Sequence, residues 1–237
     1  MAPQLGIGNS LSAEPVSTLI LGNAYSVSFD GTNDYVDTGF QPNFIHTNAT
    51  MSFWCKLDNV SGSQGLGCHN NKRFYTGISN GKAYIGIADV YKYSVDITSY
   101  IASDTWMHIA LVAEDGTATY YLDGVSRDTK TYTQSADTNP DTDFFIGAIS
   151  TSSSATAYMD GLIDEVAIFD SALSAGEIVS IYNGGYPQSL ASYNPVAWWR
   201  MGDNDGGTGS TITDQGSGGN NGTLTNGPVF SNTEAGS

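Results

Sequence analysis

Basic residues are scarce in this chain. Of its 237 residues only 8 are Lys or Arg, against 24 Asp and Glu, which gives a formal net charge of -16. A surface of this sign repels phosphate backbones and anionic lipid headgroups. We therefore expect no nucleic-acid partner.

Long hydrophobic runs are also missing. A membrane-spanning helix needs about 18 consecutive apolar residues, and no segment approaches that length, so we expect no membrane insertion. The first residues, Met1 to Pro15, have neither the basic start nor the apolar stretch of a secretory signal. We therefore expect a protein that is made in the cytoplasm and not exported, which for a phage protein means a place in the virion.

Cysteine occurs only twice, at Cys55 and Cys68. The two could face each other across a hairpin centred near Ser61 and Gly62, and the sequence leaves open whether they are bonded or are free thiols. Together with His69 they are too few for a zinc site, which takes four ligands in structural sites.

Strand patterns fill most of the chain. From Tyr25 to Phe169, short runs rich in Val, Ile, Thr, Tyr and Phe alternate with turns rich in Gly, Asn and Asp, which is typical of an antiparallel sandwich or barrel. Both faces of WMHIALVA (Trp106 to Ala113) are mostly apolar, which predicts a central strand. Asn80-Gly81 and Asp123-Gly124 predict tight turns, because glycine tolerates positive φ.

One short helix is predicted near 174–183. Ser174 and Glu177 form the pattern of a capping box, in which the serine oxygen and the glutamate carboxylate each accept from a backbone donor. Ile178, Ile181 and Tyr182 follow at helical spacing, and Asn183 with the glycines after it predicts the helix end.

Several stretches, taken in order, are similar to one family. They are SVSFDGTNDYVDTG (Ser26 to Gly39), MSFWCKL (Met51 to Leu57), WMHIALV with YYLDGV (Trp106 to Val125), FFIGA (Phe144 to Ala148) and MDGLIDEVAIFDSALSAGEIVSIYNGG (Met159 to Gly185). The chain resembles the laminin G-like jelly rolls of the concanavalin A-like lectin/glucanase superfamily. The resemblance implies an all-β fold, an antiparallel two-sheet jelly-roll β-sandwich, that often binds glycans and commonly a calcium ion.

The order of the motifs departs from the family pattern. The segment Ala197 to Pro228, which contains AWWRMGD and NNGTLTNGP, has the character of a stretch that such domains usually carry first. We interpret the chain as a circular permutation: residues 1–18 form an N-terminal arm, and 19–237 form one domain, with 195–230 completing the sandwich. A truncated second repeat is the alternative, but about 40 residues cannot bury a sandwich core alone.

The resemblance implies a calcium site, and calcium is the one cofactor we expect. Hard cations take carboxylate and loop carbonyl oxygens, and the acidic, asparagine-rich chain supplies both. We assign Asp164 as a ligand, with loop oxygens near Asp30 and Gly31, and Asp214 as a further ligand. A structural ion predicts that a chelator lowers the melting temperature.

Two tyrosine-rich stretches have the composition of a glycan site, because sugar CH faces stack on aromatic rings while hydroxyl groups need polar partners. The predicted glycan-binding residues are Asn70, Lys72, Arg73, Tyr75, Tyr91 and Tyr93.

Catalysis is not expected. Gly77 to Gly81 matches a nucleophile-elbow pattern, but Asn80-Gly81 predicts a hairpin rather than the strand-to-helix turn that an elbow needs. Asp164 and Glu165 are adjacent, so strand alternation predicts that they point to opposite faces and cannot share a glycosidase cleft. The histidines show no local pairing with a nucleophile, and His108 is predicted to be structural.

Two functions are compatible with these features. The first is a non-catalytic virion structural protein of a bacteriophage, either a capsid decoration or a fibre/attachment protein, since the permuted order resembles proteins of marine tailed phages. Its partners would be other virion proteins, copies of itself, and host or environmental glycans. The alternative is a carbohydrate-binding module or adhesin of a bacterium.

Overall fold

A computed structural model describes residues 22–42, 48–69, 74–87, 91–133, 143–151 and 154–236, and the predicted N-terminal arm 1–18 lies outside these ranges. The first strands are β1 (Ser26–Asp30), β2 (Tyr35–Asp37), β3 (Asn48–Leu57), β4 (Ser63–His69), β5 (Phe74–Ser79), β6 (Lys82–Ile87), β7 (Tyr91–Asp96), β8 (Trp106–Glu114), β9 (Thr117–Leu122) and β10 (Val125–Thr131). The later elements are β11 (Phe145–Ile146), β12 (Ile149–Thr151), β13 (Ser154–Thr156), β14 (Asp160–Phe169), the helix α1 (Ala175–Tyr182), β15 (Ala197–Trp199), β16 (Thr211–Ile212), β17 (Gly222–Thr225) and β18 (Val229–Ser231).

The strands form two antiparallel sheets that pack face to face. Sheet A has the order β10-β9-β8-β3-β14-β1-β18, and β15 also pairs with β14. Sheet B has the order β16-β17-β2-β11-β4-β5-β6-β7, and β12 and β13 form a separate hairpin. The predicted all-β sandwich with one short helix is confirmed, and β8 is central, between β9 and β3.

Strand alternation defines which face of sheet A enters the core. In β3, Met51, Phe53, Cys55 and Leu57 are at most 1 % exposed and belong to the main core between the sheets. The alternate residues of β3 therefore lie on the outer face of sheet A. This outer face carries the helix and the cleft described below.

The predicted turns have the backbone that their residues favour. Asn80 and Gly81 have φ of 49° and 75°, and Asp123 and Gly124 have φ of 53° and 73°. Two successive left-handed residues make a type I′ turn, whose twist matches that of the strands it joins.

Helix α1 packs on the outer face of sheet A. The predicted capping box is confirmed, since the Ser174 side chain accepts from the Glu177 backbone and the Glu177 carboxylate accepts from Ser174 N at 2.7 Å. Asn183 ends the helix in the left-handed conformation. Ile178 and Ile181 are buried, in a second apolar cluster that includes Phe169 of β14.

The last part of the described chain contributes to both sheets. In sheet A, β15 pairs with β14 and β18 pairs with β1. In sheet B, β17 pairs with β2 and with β16. Residues after Pro195 therefore lie within the sandwich, next to strands from the other end of the chain.

The two tryptophans of this segment point to different faces. Trp199 is fully buried in the main core, where its ring stacks on Phe144 with centroids 6.1 Å apart. Trp198 lies in the outer apolar cluster and is 5 % exposed. Trp198 is covered because Leu190 and neighbouring residues of the segment before β15 lie in the same outer cluster.

The cysteines do not face each other across a hairpin, and that expectation is wrong. Cys55 lies in β3 of sheet A and Cys68 in β4 of sheet B, so the chain between them crosses from one sheet to the other. Both are buried, and they do not form a disulfide. A turn between strands in different sheets leaves the same sequence pattern as a hairpin turn.

Within the described residues, no helix has the length and hydrophobicity that crossing a bilayer requires.

Candidate functional site

A cleft of about 390 Å³ opens on the outer face of sheet A, beside the C-terminal end of α1. It lies at the edge of the surface that the helix covers, where β3 and β8 present their outward side chains. Its lining residues are Trp54, Lys56, Asp104, Thr105, Trp106, Asp123, Tyr182, Gly184, Gly185, Tyr186 and Gly236.

Strand register places the aromatic residues of the cleft together. Lys56 of β3 is directly opposite Trp106 of β8, and Trp54 is opposite His108. Trp54 stacks on Tyr182 of the helix, with ring centroids 5.8 Å apart and planes inclined by 24°. The glycines after the helix then lead to Tyr186, whose side chain is 62 % exposed.

Two carboxylates also line the cleft. Asp104 is in the exposed loop before β8, and Asp123 is in the turn between β9 and β10. One oxygen of Asp123 accepts from the backbone N–H of His108 at 2.9 Å, which fixes the turn against β8. Burial raises the pKa of Asp123. The cleft therefore combines four aromatic rings with two acids and the ammonium group of Lys56.

His108 pairs with a hydroxyl group that is distant from it in the sequence. Its Nε2 lies 2.8 Å from Ser52 Oγ across the β3–β8 pair. Both residues are at most 1 % exposed, and the rings of Trp54 and Tyr182 lie within about 6 Å of the imidazole. Burial lowers the pKa of His108 to about 3, so the ring is neutral at physiological pH. This geometry agrees with a structural role.

The predicted glycan residues are not assembled into one surface among the described residues. Asn70, Lys72 and Arg73 lie outside them, as does the side chain of Tyr91. Tyr75 is 2 % exposed and lines a second cavity of about 300 Å³, on the outer face of sheet B with Tyr84. Tyr93 packs instead against the main core, opposite Ile85, so Tyr75 and Tyr93 occupy opposite faces of sheet B.

Asp164 and Glu165 point to the same face, and the prediction of opposite faces is wrong. The pairing of β14 with β3 shifts register between Asp164 and Ala167, and Glu165 has φ of 48°. This β-bulge adds a residue to the strand and breaks the alternation of its side chains. Carboxylate oxygens of Asp164, Glu165 and Asp203 then lie within 4.8 Å of one another.

The cluster of Asp164, Glu165 and Asp203 adjoins the cleft. Asp164 is directly opposite Trp54 in the sheet, and its carboxylate accepts from the backbone N–H of Ala235, next to Gly236 of the cleft wall. Burial raises the pKa of Asp164 well above its usual range and that of Glu165 to about 7.

The four residues assigned to calcium are not brought together. Asp30 is opposite Asp160, four positions from Asp164 along β14, which corresponds to about 13 Å at the rise of a strand. Gly31 follows Asp30 at the same end of the strands. The Asp214 carboxylate accepts from the backbone N–H groups of Trp198, Gly216 and Asn220 at 2.7 to 2.8 Å, so it organises its own loop.

The cleft was missed by sequence reasoning, although one signal was present. The outward positions of β3 are otherwise polar: Thr50, Ser52 and Lys56 alternate with the core residues. Trp54 is a large aromatic residue in that polar series, and such a residue indicates that the outer surface of the sheet packs against another element or binds a ligand. The bulge at Glu165 has no such signal, because nothing in LIDEVAIF indicates a left-handed residue.

The chain is related in sequence to one family. A laminin G-type sequence profile, described as the concanavalin A-like lectin/glucanases superfamily, matches residues 30–179, which is more than half of the chain. No curated protein is detectably similar in sequence.

Several solved structures share the fold. A Bacteroides ovatus protein with an inferred carbohydrate-binding role superposes with a TM-score of 0.69 at 19% identity, over 89% of this chain and 60% of its own. This chain thus spans less than two thirds of that protein's length. The CBM40 of a Ruminococcus gnavus sialidase superposes with a TM-score of 0.52 at 14% identity, over 66% of this chain and 97% of its own.

A third match is domain 4 of an extracellular GH43 arabinanase of Geobacillus stearothermophilus, solved with arabinotriose. It has a TM-score of 0.51 at 17% identity, over 66% of this chain and 76% of its own. At these identities the superpositions show a shared fold. The sequence match and the two-sheet sandwich together establish that the chain belongs to the concanavalin A-like lectin/glucanases superfamily.

Proposed function

We propose that this protein is a non-catalytic glycan-binding protein and that the sugar lies in the cleft on the outer face of sheet A. The observation that carries the proposal is the wall formed by Trp54, Trp106, Tyr182 and Tyr186 beside Asp104 and Asp123. Pyranose rings present CH faces to aromatic rings, and their hydroxyl groups donate to carboxylates.

The fold of the neighbours supports this proposal. The arabinanase domain was solved with arabinotriose, and the CBM40 belongs to a sialidase. In both, a sandwich of this fold is part of a protein that acts on or was solved with a carbohydrate. Function is argued from the site and not from the fold. The cleft supplies the chemistry in this chain.

Charge favours a neutral glycan over an acidic one. The cleft has two carboxylates against the single ammonium group of Lys56, and the whole chain has a formal net charge of -16. An anionic sugar would be repelled at long range and would find one cation at the site. A neutral oligosaccharide is not subject to this electrostatic repulsion.

A glycan array tests the proposal. We expect the protein to retain neutral oligosaccharides, and Tyr186→Ala to lose that signal, since Tyr186 is the most exposed ring of the cleft. Tyr100→Ala is the matched control, because Tyr100 is 55 % exposed and does not line the cleft. Absence of any bound glycan, or equal binding by Tyr186→Ala and the native protein, would overturn it.

We further propose that the protein is a virion component of a bacteriophage, as a capsid decoration or a fibre/attachment protein. The support is the order of its strands, since the WWRMGD and NNGTLTNGP segments come last, as in the phage proteins it resembles. Other virion proteins and copies of itself are the proposed partners. Mass spectrometry of purified virions should detect the polypeptide, and virions that lack it would contradict this role while leaving glycan binding intact.

The alternative is a carbohydrate-binding module or adhesin of a bacterium. The cleft serves it equally well, since the proposed sugar contacts are the same in both roles. Capsid or tail genes beside the coding sequence favour the virion role, and genes for polysaccharide degradation favour this alternative.

A further inference from the structure

The buried acidic cluster of Asp164, Glu165 and Asp203 lies where both ends of the described chain meet. Asp164 and Glu165 are 0 % and 3 % exposed, and the side chain of Asp203 is 2 % exposed. Three carboxylates this close repel one another, and burial makes each charge costly unless it is neutralised. The fold family leads one to expect a divalent cation at such a cluster.

A guanidinium group occupies the cluster instead. Arg200 Nε donates to Glu165 Oε1 at 3.0 Å, and Arg200 Nη2 donates to Asp203 Oδ2 at 2.9 Å. Nη2 also donates to the carbonyl of Gly22 at 2.8 Å, and Nη1 lies 3.4 Å from the Asn204 side-chain oxygen. Arg200 is 8 % exposed, so its charge acts in a largely water-free setting.

Each of the six carboxylate oxygens accepts from at least one N–H group. Besides Arg200, the donors come from the start of the described chain, from the bulge, from β15 and from the C-terminal segment. Asp164 accepts from Asn23 Nδ2 and from the backbone N–H groups of Ala235 and Glu165. Glu165 accepts from Trp198 Nε1. Asp203 accepts from the backbone N–H groups of Ala24 and Tyr25.

This arrangement does not suit a metal ion. A bound cation needs oxygen lone pairs that face it, and here they face N–H hydrogens, which carry partial positive charge. An ion would also lie next to the guanidinium group. The residues present therefore do not fit the expected calcium.

We propose that Arg200 is the resident cation of this cluster and that the sandwich needs no divalent metal there. The guanidinium group joins Glu165 of the β14 bulge to Asp203 and to the carbonyl of Gly22, and so fastens the start of the described chain to sheet A. The proposal predicts that a chelator leaves the melting temperature unchanged, whereas a structural calcium ion at Asp164 predicts that a chelator lowers it.

Thermal melting with and without metal tests the proposal. In EDTA and in millimolar calcium chloride, the native protein should melt within about 1 °C of the same temperature, because no ion holds the cluster. In EDTA, Arg200→Met should melt roughly 10 °C lower, since it leaves buried carboxylates unpaired. Arg127→Met is the control: Arg127 stacks on Tyr100 outside the cluster, and its loss should cost about 2 °C or less.

Arg200→Lys keeps the test decisive if the methionine variant does not fold. It retains the positive charge without the forked donors, so its melting temperature should lie between the other two and should not change with EDTA. A native protein that loses several degrees in EDTA and regains them with calcium would overturn the proposal. So would Arg200→Met or Arg200→Lys melting like the native protein in EDTA.

Discussion

A chain that ends at Asn194 is expected not to fold. The missing residues include β15, β17 and β18, which pair with strands of both sheets, and buried core side chains such as Trp199, Met201 and Ile212. Each large core side chain contributes about 2–5 kcal/mol, against a total stability of about 5–15 kcal/mol for a domain. The truncated chain would also leave the Glu165 carboxylate without its donors, which are Trp198 and Arg200.

Circular dichroism and size-exclusion chromatography of the truncated chain check this expectation. The matched control is the full chain with a protease site inserted before Pro195, cleaved after folding. Its two pieces should remain associated and melt cooperatively, because the contacts are kept and only the connection is cut. A truncated chain that is soluble, monomeric and cooperative in melting would show that the last segment is dispensable.

Trp199→Ala is expected to lower the free energy of unfolding by about 3–5 kcal/mol. The side chain is fully buried, stacks on Phe144 and meets Phe40 edge-on, with centroids 6.1 Å apart in both pairs. Its Nε1 donates to the carbonyl of Asn220 at 2.7 Å, which ties the loop after β16 to the core. The substitution Trp199→Ala therefore removes both the ring contacts in the core and the hydrogen bond that holds the loop.

Trp199→Phe separates those two contributions. It keeps a ring against Phe144 and loses only the hydrogen bond to Asn220 and part of the volume, so its loss should be clearly smaller than that of the alanine variant. Tyr186→Ala serves as the exposed aromatic control and should change stability by about 0.5 kcal/mol or less. Chemical denaturation measures all three, and a Trp199→Ala loss below about 1 kcal/mol would place this ring outside the core.

Local patterns in the sequence predict most of the fold. Alternation in β3 and β8, the two left-handed turns and the capping box at Ser174 each depend on residues close in the chain, and the structure has them all. These features follow from backbone geometry and hydrogen-bonding capacity, which neighbouring residues determine.

Long-range placement could not be predicted in the same way. Cys55 and Cys68 flank a turn, but whether a turn joins strands of one sheet or of two depends on distant pairings. The bulge at Glu165 depends on how β14 pairs with both β3 and β15. One added residue there reverses the alternation and brings Asp164 and Glu165 to the same face.

The candidate site illustrates the same limit. The amino-acid composition predicted a glycan site in the tyrosine-rich stretches around Tyr75 and Tyr93. The rings of these two residues lie on opposite faces of sheet B. The cleft instead combines residues from β3, β8, a turn and the end of α1, which are far apart in the chain. Only Trp54, an aromatic residue among outward polar positions, carried local information about it.

Isothermal titration of a neutral oligosaccharide selected on the array tests the central claim most directly. We predict that Tyr186→Ala raises Kd at least about tenfold, which corresponds to the loss of one stacked ring. Tyr100→Ala, and Tyr84→Ala in the second cavity, should bind as the native protein does. Unchanged affinity in Tyr186→Ala together with lost affinity in Tyr84→Ala would contradict the assignment and move the site to sheet B.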